Sequence, residues 1–444
     1  MTMGHASSDS GTPSSQLTSP IPPIAAPGRS GGIRSVIERR DINMVFQPVV
    51  DLATGLPVAY EALARGPAGT ELERPDQLFA AAAAANCVGE LDLLCRAQAF
   101  MQADATDYRH RFALFVNGEL GVASRTDDEL GPFLSRTAKR GKIVLELAER
   151  SIFVQPATLL QTVADARKQG WGIAIDDIGK TNDSLGLMGL TDPDVLKLDL
   201  SIVQSRPSRR TGLTLNAIAH KVESTGATVI AEGIETDAHL ARAVSLGAHF
   251  GQGWFFGRPE PLPRKSPDFG SWDPMLHHSD RRDHSSDGSS FELVEHNHRL
   301  RRATKDVLYA VSLDLEHQAA SQPDGAVIFA CFQRGMFVPE RTRTRYQELA
   351  DQCSLVVALG EGLTSNHIPG VRCIALADND PLADEWTVIV QSSHFSAALI
   401  ARDCGDDGPD ESRRFDYCIT YDRQVIQRAS QRLLSRVGSD TTPN

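Results

Sequence analysis

Residues 173–186 read IAIDDIGKTNDSLG. A run of strand-type apolar residues drives straight into two adjacent aspartates, Asp176 and Asp177, and then into a polar loop. Side chains on a strand alternate between its two faces. Neighbouring carboxylates repel unless a cation lies between them or one keeps its proton. A buried-type strand that ends on paired acids is built to deliver them to a functional rim.

Working outward, the same pattern recurs. Strand-like stretches are MVFQPVVDL (44–52), PVAYEAL (57–63), FALFVNG (112–118), IVLELAE (143–149), GIAIDDI (172–178), VLKLDLS (195–201), TVIAEGIE (228–235) and FGQGWFF (250–256). Amphipathic helical segments lie between most of them, including residues 90–102, 157–170 and 214–226, the last stopped by Gly226. Roughly eight strands alternating with helices predict a TIM-type (β/α)8 barrel over 33–261. An open doubly wound sheet would alternate similarly, but no Gly-rich phosphate loop supports it.

The flanks read differently. Residues 1–32 are rich in Ser, Pro and Gly and are expected to form a disordered lead without the features of a signal peptide. Residues 262–290, rich in Pro, Ser, Asp and His, read as a flexible linker. Its HHSDRRDH run reads as solvated chain, since His277, His278 and His284 have no ordered surroundings to make them ligands. A second α/β unit is expected over 291–440: a helix over 300–319, strands at 326–332, 354–360, 372–377 and 385–392, a helix around 343–352 and a last helix over 423–437.

The chain has 444 residues, 41% hydrophobic and 23% charged, ample for two cores. A net charge of -12 argues against nucleic-acid and anionic-membrane binding. No apolar run approaches the ~20 residues of a membrane span. Seven cysteines, odd in number and without CxxC spacing, predict reduced, buried thiols in the cytoplasm.

In such a barrel, chemistry sits at the C-terminal ends of the strands. Those ends carry Glu61, Asn117, Glu146, Asp176 with Asp177, Lys197, and Glu232 with Glu235, and Gln252 follows in the last strand. So many carboxylates cannot converge without cations. An all-oxygen donor set without His or Cys suits Mg2+ or Mn2+ rather than Zn2+. Two ions about 3.5–4 Å apart, sharing one aspartate, would activate a water and clamp a phosphoryl oxygen.

These residues also carry a resemblance. YEALAR (60–65) is similar to the signature of the EAL-domain family, the cyclic di-GMP phosphodiesterases. FQPVVDL, FVNGEL, LELAER, IDDIGK, LKLDLSIV, IAEGIET and GQGWFFGRP follow in that family's order. The resemblance implies a TIM-type barrel with one antiparallel strand and hydrolysis of cyclic di-GMP to linear pGpG. By the same resemblance, Glu61, Asn117, Glu146 and Asp176 match the ligands of a first metal ion. Asp176, Asp177 and Glu232 match those of a second. Lys197 matches the lysine that holds the attacking water, with Asp199 expected to support it. Glu235 and Gln252 match residues on the second-metal side, and Gln47 and Arg65 match positions that contact the substrate. Glu149 matches the anchor of the loop after Asp177.

That loop departs from the family pattern. DDIGKTNDSL (176–185) stands where DDFGTGYSSL is usual, so Ile178, Lys180, Thr181, Asn182 and Asp183 are substitutions, while Gly179, Ser184 and Leu185 are retained. The C-terminal unit resembles the DICT sensory domain over residues 326–362. A homodimer and a signalling partner reached through the C-terminal unit are further implications of the resemblance. Two functions stay open: a phosphodiesterase regulated by the C-terminal unit, or a cyclic-di-GMP receptor that binds without cutting and signals through a protein partner.

Overall fold

The computed structural model describes residues 32–118, 141–148, 156–180, 188, 191–206, 208–274, 288–296, 298–322, 325–392, 395–406 and 409–436. Eight strands close into a barrel in chain order. They are β1 (Asn43–Asp51), β2 (Pro57–Arg65), β3 (Ala113–Asn117), β4 (Ile143–Ala148), β5 (Gly172–Ile178), β6 (Val195–Leu198), β7 (Thr228–Ala231) and β8 (Phe250–Gly251). β1 runs antiparallel to both neighbours, β2 and β8, and all other pairs are parallel.

Around the barrel lie α1 (Ile33–Glu38), α2 (Pro75–Ala84), α3 (Val88–Asp104), α4 (Pro156–Lys168), α5 (Leu200–Gln204), α6 (Arg209–Thr225) and α7 (Asp237–Ser245). Their ends follow local chemistry. Ser208 and Thr211 form a reciprocal capping box on α6, which stops at Gly226 in the left-handed conformation (φ 73°). Thr236 caps α7 through the N–H of His239.

Inward-facing Val49, Ala59, Ala113, Phe115, Val144, Ala174, Val195 and Ile230 fill the barrel, so it is a packed core and not a pore. Its floor is closed by residues read from the sequence as the start of a linker. Trp272 stacks on Phe115 (5.9 Å between rings, 12° between planes) and lies 4.9 Å from Phe250. Lys142 Nζ donates to its carbonyl at 2.6 Å, and the Gly270 N–H donates to the Pro57 carbonyl at 3.0 Å. Residues 262–274 thus belong to the barrel's packing, because an aromatic ring over an open barrel end removes apolar surface from water. Residues 275–287, with the three histidines of the HHSDRRDH run, lie outside the described residues.

The C-terminal unit contains α8 (Glu292–Glu295), β9 (Arg301–Thr304), α9 (Lys305–Ala320), β10 (Val327–Arg334), α10 (Glu340–Gln352), β11 (Leu355–Glu361), β12 (Arg372–Leu376), β13 (Glu385–Gln391), β14 (Ser396–Asp403), β15 (Arg414–Thr420) and α11 (Arg423–Leu434). Its seven-stranded sheet is mixed, in the order β12-β11-β10-β13-β14-β15-β9. Along β10 the side chains alternate. Ile328 and Ala330 face a cluster with Leu308, Leu315 and Tyr346 of α9 and α10, while Val327, Phe329 and Cys331 face one with Val425, Ile426, Ala429 and Leu433 of α11. This second cluster is continuous with barrel residues Leu159, Val163 and Ala166 of α4, against which α11 lies. Arg423 at the start of α11 also meets His220 of α6 at 3.1 Å.

None of the seven cysteines is paired, and all but Cys404 are buried. Burial pushes the Cys331 thiol up to about 12 and that of Cys353 up to about 11, which suits packing rather than redox reactivity. Among the described residues no helix is long and apolar enough to cross a membrane.

Glu385 gives the C-terminal unit a pH dependence. It accepts the N–H groups of Ser290 (3.1 Å) and Phe291 (2.9 Å), holding the entry to α8 against β13. Burial raises its carboxyl from the ordinary 4.5 to about 7 against these donors and nearby Arg402. Between those values the folded chain holds more protons than the unfolded one. The stability is fully present below pH 4.5 and is lost as pH rises through about 7. Thermal melts taken between about pH 5 and pH 8 should show the C-terminal transition falling as pH rises, with a flatter profile in Glu385→Gln. An unchanged slope in the variant would remove Glu385 as the source.

Candidate active site

The pairing of β5 with β6 slips between Ile175 and Ile178. Asp176 and Asp177 therefore occupy an irregularity in the ladder, where two residues can stand opposite one. This frees neighbouring side chains from strict alternation and lets both face the rim. Asp177 adopts the left-handed conformation (φ 61°), which aspartate tolerates better than most residues, and its N–H donates to Asp176 Oδ1 at 2.9 Å. The turn is completed at Gly179 (φ 92°), where a Cβ would lie 2.7 Å from Ile202 Cγ1. A second turn at Gly233 (φ 67°) directs the chain away immediately after Glu232.

Lys197 of β6 stands at the centre. Its side chain is 1% exposed, and its Nζ lies 2.6 Å from Glu146 Oε1, 2.7 Å from Glu232 Oε1, 3.2 Å from Glu61 Oε2 and 3.5 Å from Asp176 Oδ1. One ammonium thus serves carboxylates from β2, β4, β5 and the end of β7. Asp177 has a different cation: Lys180 Nζ is 2.9 Å from its Oδ2. The adjacent aspartates are therefore held by two lysines, one buried and one at the mouth. Asp199 does not appear among Lys197's ion pairs. It caps α5 instead, accepting the Ser201 N–H at 2.8 Å.

The glutamines adjoin this cluster. Gln252 Nε2 donates to Glu61 Oε2 (2.7 Å) and to Gln47 Oε1 (3.1 Å), while Gln47 Nε2 donates to the Gly257 carbonyl (3.1 Å). The antiparallel register that sets Gln47 opposite Glu61 brings them together. Asn117 stands exposed at the end of β3, in register with Glu146. Arg65 ends β2, half-buried, with Nη1 donating to the Ala64 carbonyl (2.8 Å). Glu235 is exposed on the loop after β7, its N–H donating to His239 Nδ1 (3.3 Å). Glu149 and residues 181–187 of the divergent loop lie outside the described residues.

Charge sets the chemistry. Burial pushes the Glu146 carboxyl well above its ordinary range, with Glu61 adding to the rise against the pull of Lys197. Burial likewise takes Glu232 up to about 8, opposed by Lys197. For Lys197, burial alone would favour the neutral amine, but Asp176, Glu146, Glu232 and Glu61 outweigh it and keep the ammonium charged. The cluster has more negative charge than Lys197 can neutralise. It also has spare acceptors: Glu146 Oε2 and Gln252 Oε1 are buried with no hydrogen-bond partner among the described residues. One carboxylate oxygen each from Asp176, Asp177 and Glu232 lie within 4.8 Å of one another. An excess of anionic oxygen, with a buried oxygen left unpartnered, fits a hard divalent cation.

A model of the EAL domain matches residues 32–259, more than half of the chain. The chain belongs to the EAL-domain family. A model of the DICT domain, described as a sensory domain in diguanylate cyclases and two-component systems, matches residues 290–403, so the EAL barrel is followed by a DICT domain. Among curated relatives, a probable cyclic di-GMP phosphodiesterase, PdeB of Escherichia coli, is 31% identical over 251 residues, covering 54% of this chain and 46% of that protein. The cyclic di-GMP phosphodiesterase NbdA of Pseudomonas aeruginosa is 27% identical over 237 residues, covering 52% and 30%. This EAL chain therefore spans less than half the length of either. Among solved structures, a manganese and cyclic-di-GMP complex of Klebsiella pneumoniae BlrP1 aligns with TM-score 0.44 at 25% identity, over 50% of this chain and 56% of that one.

Proposed function

We propose that this chain hydrolyses cyclic di-GMP to linear pGpG with Mg2+ or Mn2+, two ions per site. The observation that carries this reading is the convergence of Glu61, Glu146, Asp176 and Glu232 on the buried Lys197, with Glu146 Oε2 left without a partner. In this reading Glu61, Asn117, Glu146 and Asp176 hold the first ion, and Asp176, Asp177 and Glu232 hold the second. The ions supply Lewis acidity to the phosphodiester and to the attacking water.

The rest falls to the protein's own groups. The Lys197 ammonium orients the water by hydrogen bonding and stabilises negative charge that develops as one phosphodiester bond opens. Gln252 fixes the carboxylate of Glu61 and, with Gln47, forms an amide pair able to meet a guanine edge. Arg65, at the end of β2, supplies a guanidinium for a substrate phosphate. Glu235 shapes the second ion's side. Regulation by the C-terminal domain is supported by the placement of α11 on α4, the helix that leads into β5 and so to Asp176 and Asp177.

The reading as a receptor has one observation in its favour, the Lys180 ammonium on Asp177. Purified full-length chain incubated with cyclic di-GMP should form linear product with Mg2+ or Mn2+, stop on chelation and resume when the ion is restored. Saturable binding with no product in either ion would make the barrel a receptor.

A further inference from the structure

The turn after β5 places a cation of the protein's own on the rim of the proposed metal site. Asp177 and Gly179 take left-handed conformations (φ 61° and 92°), and the Lys180 N–H closes the turn on the Asp177 carbonyl at 3.1 Å. This folds the Lys180 side chain back so that Nζ lies 2.9 Å from Asp177 Oδ2. The pair sits at the mouth, with side chains 58% exposed for Lys180 and 35% for Asp177, unlike the sealed Lys197 below it. Asp177 is also one of the three carboxylates, with Asp176 and Glu232, whose oxygens approach within 4.8 Å. The buried Glu146 Oε2, without a hydrogen-bond partner among the described residues and beneath the same rim, independently suits a cationic ligand.

We infer that Lys180 is a resident counter-ion that a divalent cation must displace from Asp177, so that this side chain sets the free-metal threshold of the site. The inference rests on the metal reading above. Before the ion arrives, Lys180 neutralises Asp177 and reduces the repulsion between the adjacent aspartates. When the ion binds, the ammonium loses its partner and faces a like charge. Both effects weaken metal binding relative to a neutral side chain at this position. The exposure of Lys180 makes the displacement feasible, since the released ammonium is already largely solvated. A consequence is a site poised to respond to small rearrangements of the loop: anything that draws Lys180 away raises metal affinity without touching a ligand.

The test is calorimetric titration of the full chain with MnCl2 in the absence of nucleotide, comparing the unaltered protein with Lys180→Gln, Lys180→Arg and Asp177→Asn. Lys180→Gln should bind Mn2+ about fivefold more tightly, and Lys180→Arg should stay within about twofold of the unaltered chain. In an Asp177→Asn background, Lys180→Gln should lose most of its effect, because the partner is gone. Equal affinity of Lys180→Gln and the unaltered chain overturns this inference and leaves the metal reading standing. No Mn2+ binding to either chain overturns both. A gain that persists in full without the Asp177 carboxylate also overturns it, since the effect would then not act through that ion pair.

Discussion

Replacing Lys197 with methionine is expected to abolish turnover and to destabilise the metal-free chain, with divalent metal restoring only the stability. The buried ammonium touches Glu146, Glu232, Glu61 and Asp176 at 2.6–3.5 Å. Methionine keeps the length and packing of the stem but leaves these acids opposed by no buried cation. Breaking a buried ion pair from one side costs about 3–5 kcal/mol. Protonation of Glu146 and Glu232, whose carboxyls are already raised, limits the loss to that range. For a domain of this size the thermal midpoint should fall by about 10 °C. On the proposed metal reading, saturating Mn2+ should bind the folded cluster alone and recover most of that fall. Turnover should still be down by about a thousandfold or more, because the donor proposed to orient the water and stabilise developing charge is gone. Melting curves with and without Mn2+, beside product formation, separate the two effects. Retained turnover would reduce Lys197 to a structural pair, and a fall in stability that Mn2+ cannot recover would count against a metal-binding cluster.

The barrel was legible because its signal is local and repeated: short apolar strands, several of them ending in a carboxylate or amide, separated by amphipathic helices. Which groups satisfy one another was less legible, because that depends on closure of the ring. The sequence reading offsets the repulsion of Asp176 and Asp177 chiefly with metal ions beside them. In the folded chain Lys197 reaches Asp176 from the neighbouring strand, and Lys180 turns back onto Asp177. The resemblance implies that Asp199 supports Lys197, but its carboxylate accepts the Ser201 N–H at the start of α5. Trp272 lay in a Pro- and Ser-rich segment whose composition resembles a linker, and only the open barrel floor gives its ring a place to bury.

In the C-terminal domain the strongly β-branched strands were visible. β14, SAALIARD, is alanine-rich and carries little strand propensity of its own, whereas β15, RFDYCIT, has strand-type Phe, Tyr, Ile and Thr but lies outside the strands expected from the sequence. The segment RRAT at the head of the expected helix pairs with β15 as an edge strand, with Arg302 held by Asp416 at 2.7 Å. There, tertiary pairing overrides the helical pattern that resumes at Lys305.

The complementary substitution, Glu146→Gln, is expected to stabilise the metal-free chain while removing its function. Glu146 is 1% exposed, and one of its oxygens is buried without a partner. Its carboxyl is raised by burial and by Glu61, so the folded state resists the charge that the unfolded chain would carry at neutral pH. Glutamine preserves shape, keeps a carbonyl oxygen for Lys197 and removes that conflict. The gain should be about 1–2 kcal/mol, visible as a rise of several degrees in the thermal midpoint without metal. With Mn2+ the order should reverse, because one charged ligand is lost from the proposed first ion. Affinity should fall at least about tenfold, and turnover about a hundredfold or more. The crossing of the two melting curves as Mn2+ is added is the diagnostic result. A variant that melts lower at every metal concentration would mean that Glu146 is retained for its ion pair with Lys197. A variant more stable throughout, with unchanged Mn2+ affinity, would place the ion elsewhere on the rim. The predicted crossing follows from a single physical cause: acids held too close together for the empty fold are acids held at the right spacing for a cation.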